Sequence, residues 1–381
     1  LQGRTTMLAR QILVTHVGAK SPADGLVKVG DVILGVDSKP FEDDARKLLA
    51  LAIQRAESTA GKGDLNLLVW RDGATQDIHL TLRVLGDYGA TNPLESQKAK
   101  TILEEACQAL AKEKLADDWA GPISGLAMLA SGKDEFREKV REYAHRIAEK
   151  TTSHDPAKPE RGTWQLSYRA LFLCEYYLLT HDEAVLPAIE KLSSAMARGQ
   201  GMFGTFGHNL LPPGPNGELH RPIPSYGPVN QTGLVTNIGI LFGEFCGVKD
   251  PEVPAAVERG SNFFATFVGR GSIPYGEHEP YITHDNNGKC AMAAVFYALQ
   301  KDRVADARFY ARMTLASFKN REAGHTGQGQ SYLWTGLGAN CAGPLGLAAD
   351  FNEASWHYDL VRRCDGSFTY DGGEQYGAGS T

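Results

Sequence analysis

The chain has no excess of basic charge. Its 381 residues carry 39 Lys and Arg against 45 Asp and Glu, a formal net charge of −6 with a pI near 6.0. That balance offers no positive field to a phosphate backbone, so no nucleic acid is expected as a partner. Long apolar runs are missing too, none approaching the roughly 18 residues of a membrane span. No secretory signal is evident, but the chain opens at Leu1 without an initiator Met. It is read as a processed or trimmed product, with a periplasmic or secreted setting as the expectation. Cysteines are six, and no two are closer than 23 residues, which excludes a CxxC zinc or redox motif. Most fall in apolar helical context, where a free thiol acts as a small hydrophobe. Neither a cofactor nor a metal is expected.

Glycine is what the chain has in plenty: 42 residues, above the usual share of roughly 7%. No G-X-Y period accompanies them, so collagen is excluded. Residues 1–90 hold ten, 91–198 hold four, and 199–381 hold twenty-eight. Such a shift marks a change of architecture, and the expected domains are 1–90 and 91–381.

In the first ninety residues, Gln11–Val17 and Asp31–Val36 are β-branched runs bounded by Gly and Pro, and read as strands. A helix is expected over 41–57, with Leu48, Leu49, Ala52 and Ile53 on one face. Leu65–Trp70 and Ile78–Val84 read as a hairpin about Arg71-Asp72-Gly73-Ala74. In the second strand Ile78, Leu80, Leu82 and Val84 should face inward. Ser21-Pro22-Ala23, Gly30-Asp31-Val32-Ile33 and the helix from Asp43 resemble a PDZ domain of the bacterial kind. The resemblance implies a groove for an extended peptide or a protein C-terminus. A carboxylate-binding loop should precede the first strand, and Leu1–Ala9 holds no GLGF-like sequence.

Beyond Thr91 strand signals vanish and helices alternate with short polar turns. The turns hold Asp134, Asp182, Asp250, Asp302 and Asp350, spaced 48, 68, 52 and 48 apart, each suited to cap a helix. Trp164–Leu179 and Lys289–Leu299 are apolar on nearly all sides, as enclosed inner helices would be. Val185, Ile189, Leu192 and Met196 form a one-sided stripe, as do Val253, Val257, Phe264 and Phe267. Outer helices lead into Gly-x-aromatic elements at Gly204-Thr205-Phe206, Gly271–Tyr275 and Gly366-Ser367-Phe368. This repeat grammar resembles that of squalene cyclases and protein prenyltransferases, which implies an all-α (α/α) toroid of helical hairpins. About five hairpins can be counted where such toroids usually have six or more, so the expected ring is incomplete. The order of α+β PDZ-like module and α/α toroid is similar to that of an uncharacterised bacterial family, and supplies architecture without chemistry.

Candidate chemistry lies in the loops that enter the inner helices. The stretch 199–230 carries His208, Arg221, Tyr226 and Asn230; the next carries Glu277, His278, His284 and Asp285. A lone Asp285 beside Asn286 and Asn287 is poor equipment for protonating an alkene, which disfavours terpene cyclisation. Asp285, Cys290 and His325 or His357 lack the spacing of a prenyltransferase zinc set. Residue types suit β-elimination of a uronate glycan better: His208 and Asn230 to neutralise a carboxylate, Tyr226 to move the proton, Arg221 to hold the sugar acid. Hydrolysis by Asp285, Glu277 or Asp371 is the other reaction considered. His284 joins the catalytic candidates, and His278, His325, Trp334 and Tyr370 complete the expected ligand contacts. The leading expectation is an enzyme-like toroid binding a polar glycan, peptide-like or small-molecule ligand in its lumen. A non-catalytic PDZ and toroid scaffold is the alternative, and a terpenoid or prenyl-transfer enzyme the third. Spacing alone establishes no assignment, because convergence depends on the tertiary fold.

Overall fold

The computed structural model describes residues 8–155, 159–225, 227–280, 288–321 and 327–369. The chain forms two compact units, Leu1–Ala109 with Leu347–Thr381 and Leu110–Gly346.

The first unit holds an antiparallel sheet. Its strands are β1 (Ile12–Leu13), β2 (Val32–Val36), β3 (Lys39–Pro40), β4 (Asp64–Arg71) and β5 (Ala74–Thr81). The order is β1-β2-β4-β5, with β3 folded back on the far half of β2. Helix α1 (Ala45–Glu57) starts at Asp44, whose carboxylate accepts the Arg46 N–H. Its Ala52 is buried, and Leu48, Leu49 and Ile53 pack on a core built from Ile33, Phe41, Leu65, Leu67, Val69, Ile78 and Leu80. Two expectations shift. The strand expected over 11–17 is regular only at Ile12–Leu13: Val14 exchanges backbone hydrogen bonds with Asp31 and Gly30, and the chain beyond it winds into the turns of 18–27. Val84 is exposed, since β5 ends at Thr81.

The Gly30-Asp31 step has a clear physical role. Asp31 is buried and accepts two bonds from the Arg71 guanidinium, at 2.7 and 2.6 Å, and one from the Lys28 N–H. Arg71 also donates to the Leu26 carbonyl at 2.8 Å, which ties the turn to β4. The Arg71 hydrogen bonds hold the Asp31 carboxyl below its ordinary pKa.

Helices α2 (Gln97–Lys112) and α12 (Pro344–Val361) contribute a charge-balanced cluster to the same unit. Lys98 Nζ lies 3.0 Å from both Glu57 and Asp359, and Arg362 donates to both Glu57 oxygens at 2.7 Å. Burial pulls the Arg362 pKa down, but Glu57 and Asp359 outweigh it and the net shift is upward. The turn expected at Ala349–Asn352 is instead inside α12, and Asp350 is a buried helical residue. Gly343 and Pro344 break the chain earlier, proline being favoured at a helix start.

The second unit is helical: α3 (Ala120–Ser131), α4 (Arg137–Ser153), α5 (Thr163–Thr180), α6 (Leu186–Arg198), α7 (Asn230–Phe245), α8 (Glu252–Ala265), α9 (Lys289–Ala298), α10 (Val304–Ala316) and α11 (Gly327–Asn340). Helices α3, α5, α7, α9 and α11 pack in that order, and α4, α6 and α8 form a second row. The one-sided stripes behave as expected: Val185, Ile189, Leu192, Met196, Val253, Val257, Phe264 and Phe267 are all buried. Asp182 caps the 3-10 turn before α6 by accepting the Ala184 N–H, and Asp250 accepts the Glu252 N–H at the start of α8. Asp134 and Asp302 sit within the first 3-10 turn. Gly204 has a positive φ, and a Cβ there would lie 2.3 Å from the Arg259 backbone, so only glycine fits this closing. Among the described residues no helix is long and apolar enough to cross a membrane.

Candidate functional site

In α5 and α7 the C-terminal halves bury Phe172, Leu173, Ile240 and Leu241, whereas the N-terminal halves bury hydroxyls and amides beside Leu166, Leu234 and Val235. Thr163 and Ser167 stand four apart on α5, as Thr232 and Thr236 do on α7, so each pair shares a helix face. The two faces meet as a ladder. Thr232 donates to Thr163 Oγ1 at 2.8 Å, and Ser167 and Thr236 share a hydrogen bond of 2.8 Å. All four residues are fully buried.

The loops that follow α6 and α8 are bonded to the starts of α5 and α7. The Thr163 N–H donates to the His208 carbonyl and its hydroxyl to Gly207, at 3.0 and 2.9 Å. The Val229 N–H donates to Phe206, and the Asn230 N–H to Tyr275. Asn230 is fully buried, and its Nδ2 donates to the carbonyls of Pro274 and Gly276 at 3.1 and 2.9 Å. Among the described residues, its Oδ1 has no hydrogen-bond partner, and neither has the Oγ1 of buried Thr335 on α11. A buried polar atom without a partner costs roughly 1–3 kcal/mol.

A second polar group joins α5 to α11. Tyr168 donates to Gln330 Oε1 at 2.7 Å and accepts from Trp334 Nε1 at 3.0 Å. Burial pushes the Tyr168 phenol above its ordinary pKa, with the Trp334 and Gln330 bonds partly opposing. Lys289 opens α9 and is fully buried. Among the described residues, no three His, Cys, Asp or Glu side chains are grouped to hold a metal ion.

The expected site residues therefore separate into groups. Asn230 is joined to the loop that leads to Glu277 and His278, both exposed. Exposed His208 accepts a long 3.4 Å bond from Trp164 Nε1 at Nδ1. Arg221 turns back into its own loop, donating to Pro212 at 3.0 Å, and Trp334 is interior. Tyr226, His284, Asp285, His325, Tyr370 and Asp371 lie outside the described residues. Both N–H bonds of Asn230 are spent on backbone carbonyls, so the donor that a substrate carboxylate would require is already engaged. Sequence reasoning missed Thr163, Ser167, Thr232, Thr236, Tyr168 and Gln330. The legible signal was a hydroxyl pair at i, i+4 near the start of two otherwise apolar helices.

A family model described as a domain of unknown function (DUF6288) matches residues 99–381. No curated protein and no solved structure matches the chain.

Proposed function

The chain belongs to the DUF6288 family, whose description names no activity, and from the geometry we propose that its helical domain binds a polar ligand, glycan or peptide-like, at the end where the inner helices begin. The observation that carries this reading is the set of buried hydroxyls and amides at the starts of α5 and α7, with Asn230 Oδ1 lacking a hydrogen-bond partner among the described residues. Binding sites place a few convergent polar groups in an otherwise apolar setting. Arrangement as an α/α toroid is part of the proposal. It is supported by the packing order α3, α5, α7, α9, α11 and by the Tyr168–Gln330 bond linking α5 to α11.

The test is a thermal-shift panel of neutral oligosaccharides, uronate oligosaccharides and short peptides on the full chain. One class should raise Tm, and Asn230→Ala should reduce that shift, measured from the variant's own free Tm. No shift from any class, or a shift unaffected by Asn230→Ala, overturns the reading. Elimination would add ultraviolet absorbance from a new double bond on uronate polymers, lost in Tyr226→Phe.

A second reading has its own observation. The sheet module carries a cleft of about 380 Å3 between the β2–β3 hairpin and α1, lined by Val36, Pro40, Phe41, Leu48 and Leu51. It supports peptide binding by a PDZ-like module in a non-catalytic scaffold. Leu51→Glu should then abolish capture of an extended apolar peptide.

A further inference from the structure

A groove of about 600 Å3 lies on the second unit, away from the starts of α5 and α7, between the end of α3, the start of α4 and the end of α5. Buried Phe136, Val140 and Tyr176 lie at its floor, and Leu129 and Leu179 form its accessible apolar wall. Leu179 is 65% exposed, a large unpaired cost for a side chain that no element covers.

Along the α4 side, Lys133, Arg137 and Arg141 recur every fourth residue and all line the groove. Arg137 and Arg141 stand four apart in the first turns of α4, about 6 Å along its axis at 1.5 Å per residue, and Lys133 lies before it in extended backbone ahead of the 3-10 turn Asp134–Phe136. Arg137 pairs with Asp134 and Arg141 with Glu138, but both pairs are exposed and such pairs contribute little. Each guanidinium keeps donors for a second carboxylate. The acidic side chain lining the groove, Asp182, is already satisfied by His145 at 2.6 Å, Tyr176 at 2.8 Å and the Ala184 N–H. The His145 bond is the main reason its carboxyl is held below the ordinary range. What remains available is positive charge beside an apolar trough, on a chain whose net charge is −6.

We propose that this groove docks an amphipathic helical segment of a partner protein, with apolar residues against Leu129 and Leu179 and acidic residues facing Lys133, Arg137 and Arg141. Acidic residues four apart on a partner helix would meet Arg137 and Arg141 in register. Complementary charge selects an acidic partner over a basic one.

The experiment uses the full chain and three labelled helical peptides, read by fluorescence anisotropy. One carries Leu on one face and Glu on the other, the second replaces Glu by Lys, and the third replaces Leu by Ser. The first should bind, and the other two should not. Binding should weaken between about 50 and about 300 mM salt, as screened surface charges require. Arg137→Glu with Arg141→Glu should reduce affinity by about tenfold or more, and so should Leu179→Asp. All three positions are exposed, so circular dichroism and Tm should stay unchanged. Equal binding of the Glu and Lys peptides, absence of binding, or affinity unaffected by these variants overturns the proposal. Self-association abolished by Leu179→Asp would assign the wall to a second copy of the chain, and would also overturn it.

Discussion

Lys98 and Asp359 stand 261 residues apart in the chain and 3.0 Å apart in space, with both side chains closed off from solvent. Glu57 and Arg362 complete the cluster, so two carboxylates face two cations. Tyr88 donates to Asp359 at 3.2 Å and lays its ring 4.6 Å from Lys98 Nζ. Balance is what makes this arrangement tolerable, because a buried charge without its partner is costly. Lys98→Met should therefore destabilise the protein by about 3–5 kcal/mol. Lys98→Met with Asp359→Leu restores the count and should recover at least half of that loss. Urea denaturation of the two variants measures both.

His357 makes acid stability a direct readout of the same unit. Burial, helped by the nearby positive Arg46, depresses its pKa to about 3. The unfolded chain takes up this proton near pH 6.5, whereas the folded chain does so only near pH 3. Between those values the unfolded state binds more protons, so stability falls on acidification, by at most about 1.4 kcal/mol per pH unit from this group. His357→Gln should flatten the slope of unfolding free energy against pH between about 6 and 4. An unchanged slope would show that His357 is not the titrating group.

Gly243 sets the spacing of α6 and α7. A Cβ at this position would lie 2.1 Å from Ser193 Oγ, itself buried without a hydrogen-bond partner. Gly243→Ala should cost about 1–3 kcal/mol by overpacking. Ser193→Gly together with Gly243→Ala should recover most of the loss, since the clash is with that side chain. Paired denaturation curves test this coupling.

The cysteines should differ sharply toward a thiol reagent. Cys364 is exposed and Cys341 half-buried, whereas Cys107, Cys174, Cys246 and Cys290 are buried. Burial, with a hydrogen bond to Cys246, raises the Cys174 thiol well above its ordinary pKa, and burial raises that of Cys341. Since the thiolate is the reactive form, native protein should show one fast thiol, lost in Cys364→Ser. All six should react in denaturant.

Asn230 offers a test of the buried polar groups at the start of α7. Asn230→Asp replaces two donated bonds with a carboxylate facing the Pro274 and Gly276 carbonyls. The segment 272–280 should then be cut by protease at least about tenfold faster, at a cost of roughly 2–3 kcal/mol. Thr335→Val, which breaks no bond, should leave cleavage unchanged.

Much of the local structure was legible in residue order. Periodicity marked α5 and α9 to within a residue or two, and the stripes of α6 and α8 were found by their spacing of apolar residues. Aspartates marked the turns at Asp182 and Asp250, because a cap is a contact between near neighbours. The same rule failed at Asp350, where an Asp in a helical interior looks like a cap until Pro344 is weighed as the start. Of the candidate site, the loops were found but not the roles. Asn230 has the right amide in the right place, yet its donors are bound to residues 44 and 46 positions away.

Composition and periodicity by themselves determined a sheet module followed by helical hairpins, the positions of most helices and the absence of a basic field. Those properties depend on separations of a few residues, over which backbone geometry is nearly invariant. Tertiary structure decided that Glu57, Lys98, Asp359 and Arg362 neutralise one another, that α5 and α7 meet through hydroxyls, and that Trp334 serves Tyr168. Each pairing joins side chains dozens to hundreds of residues apart. Burial strengthens the electrostatic and hydrogen-bond terms there, and only the folded chain specifies which groups are buried together.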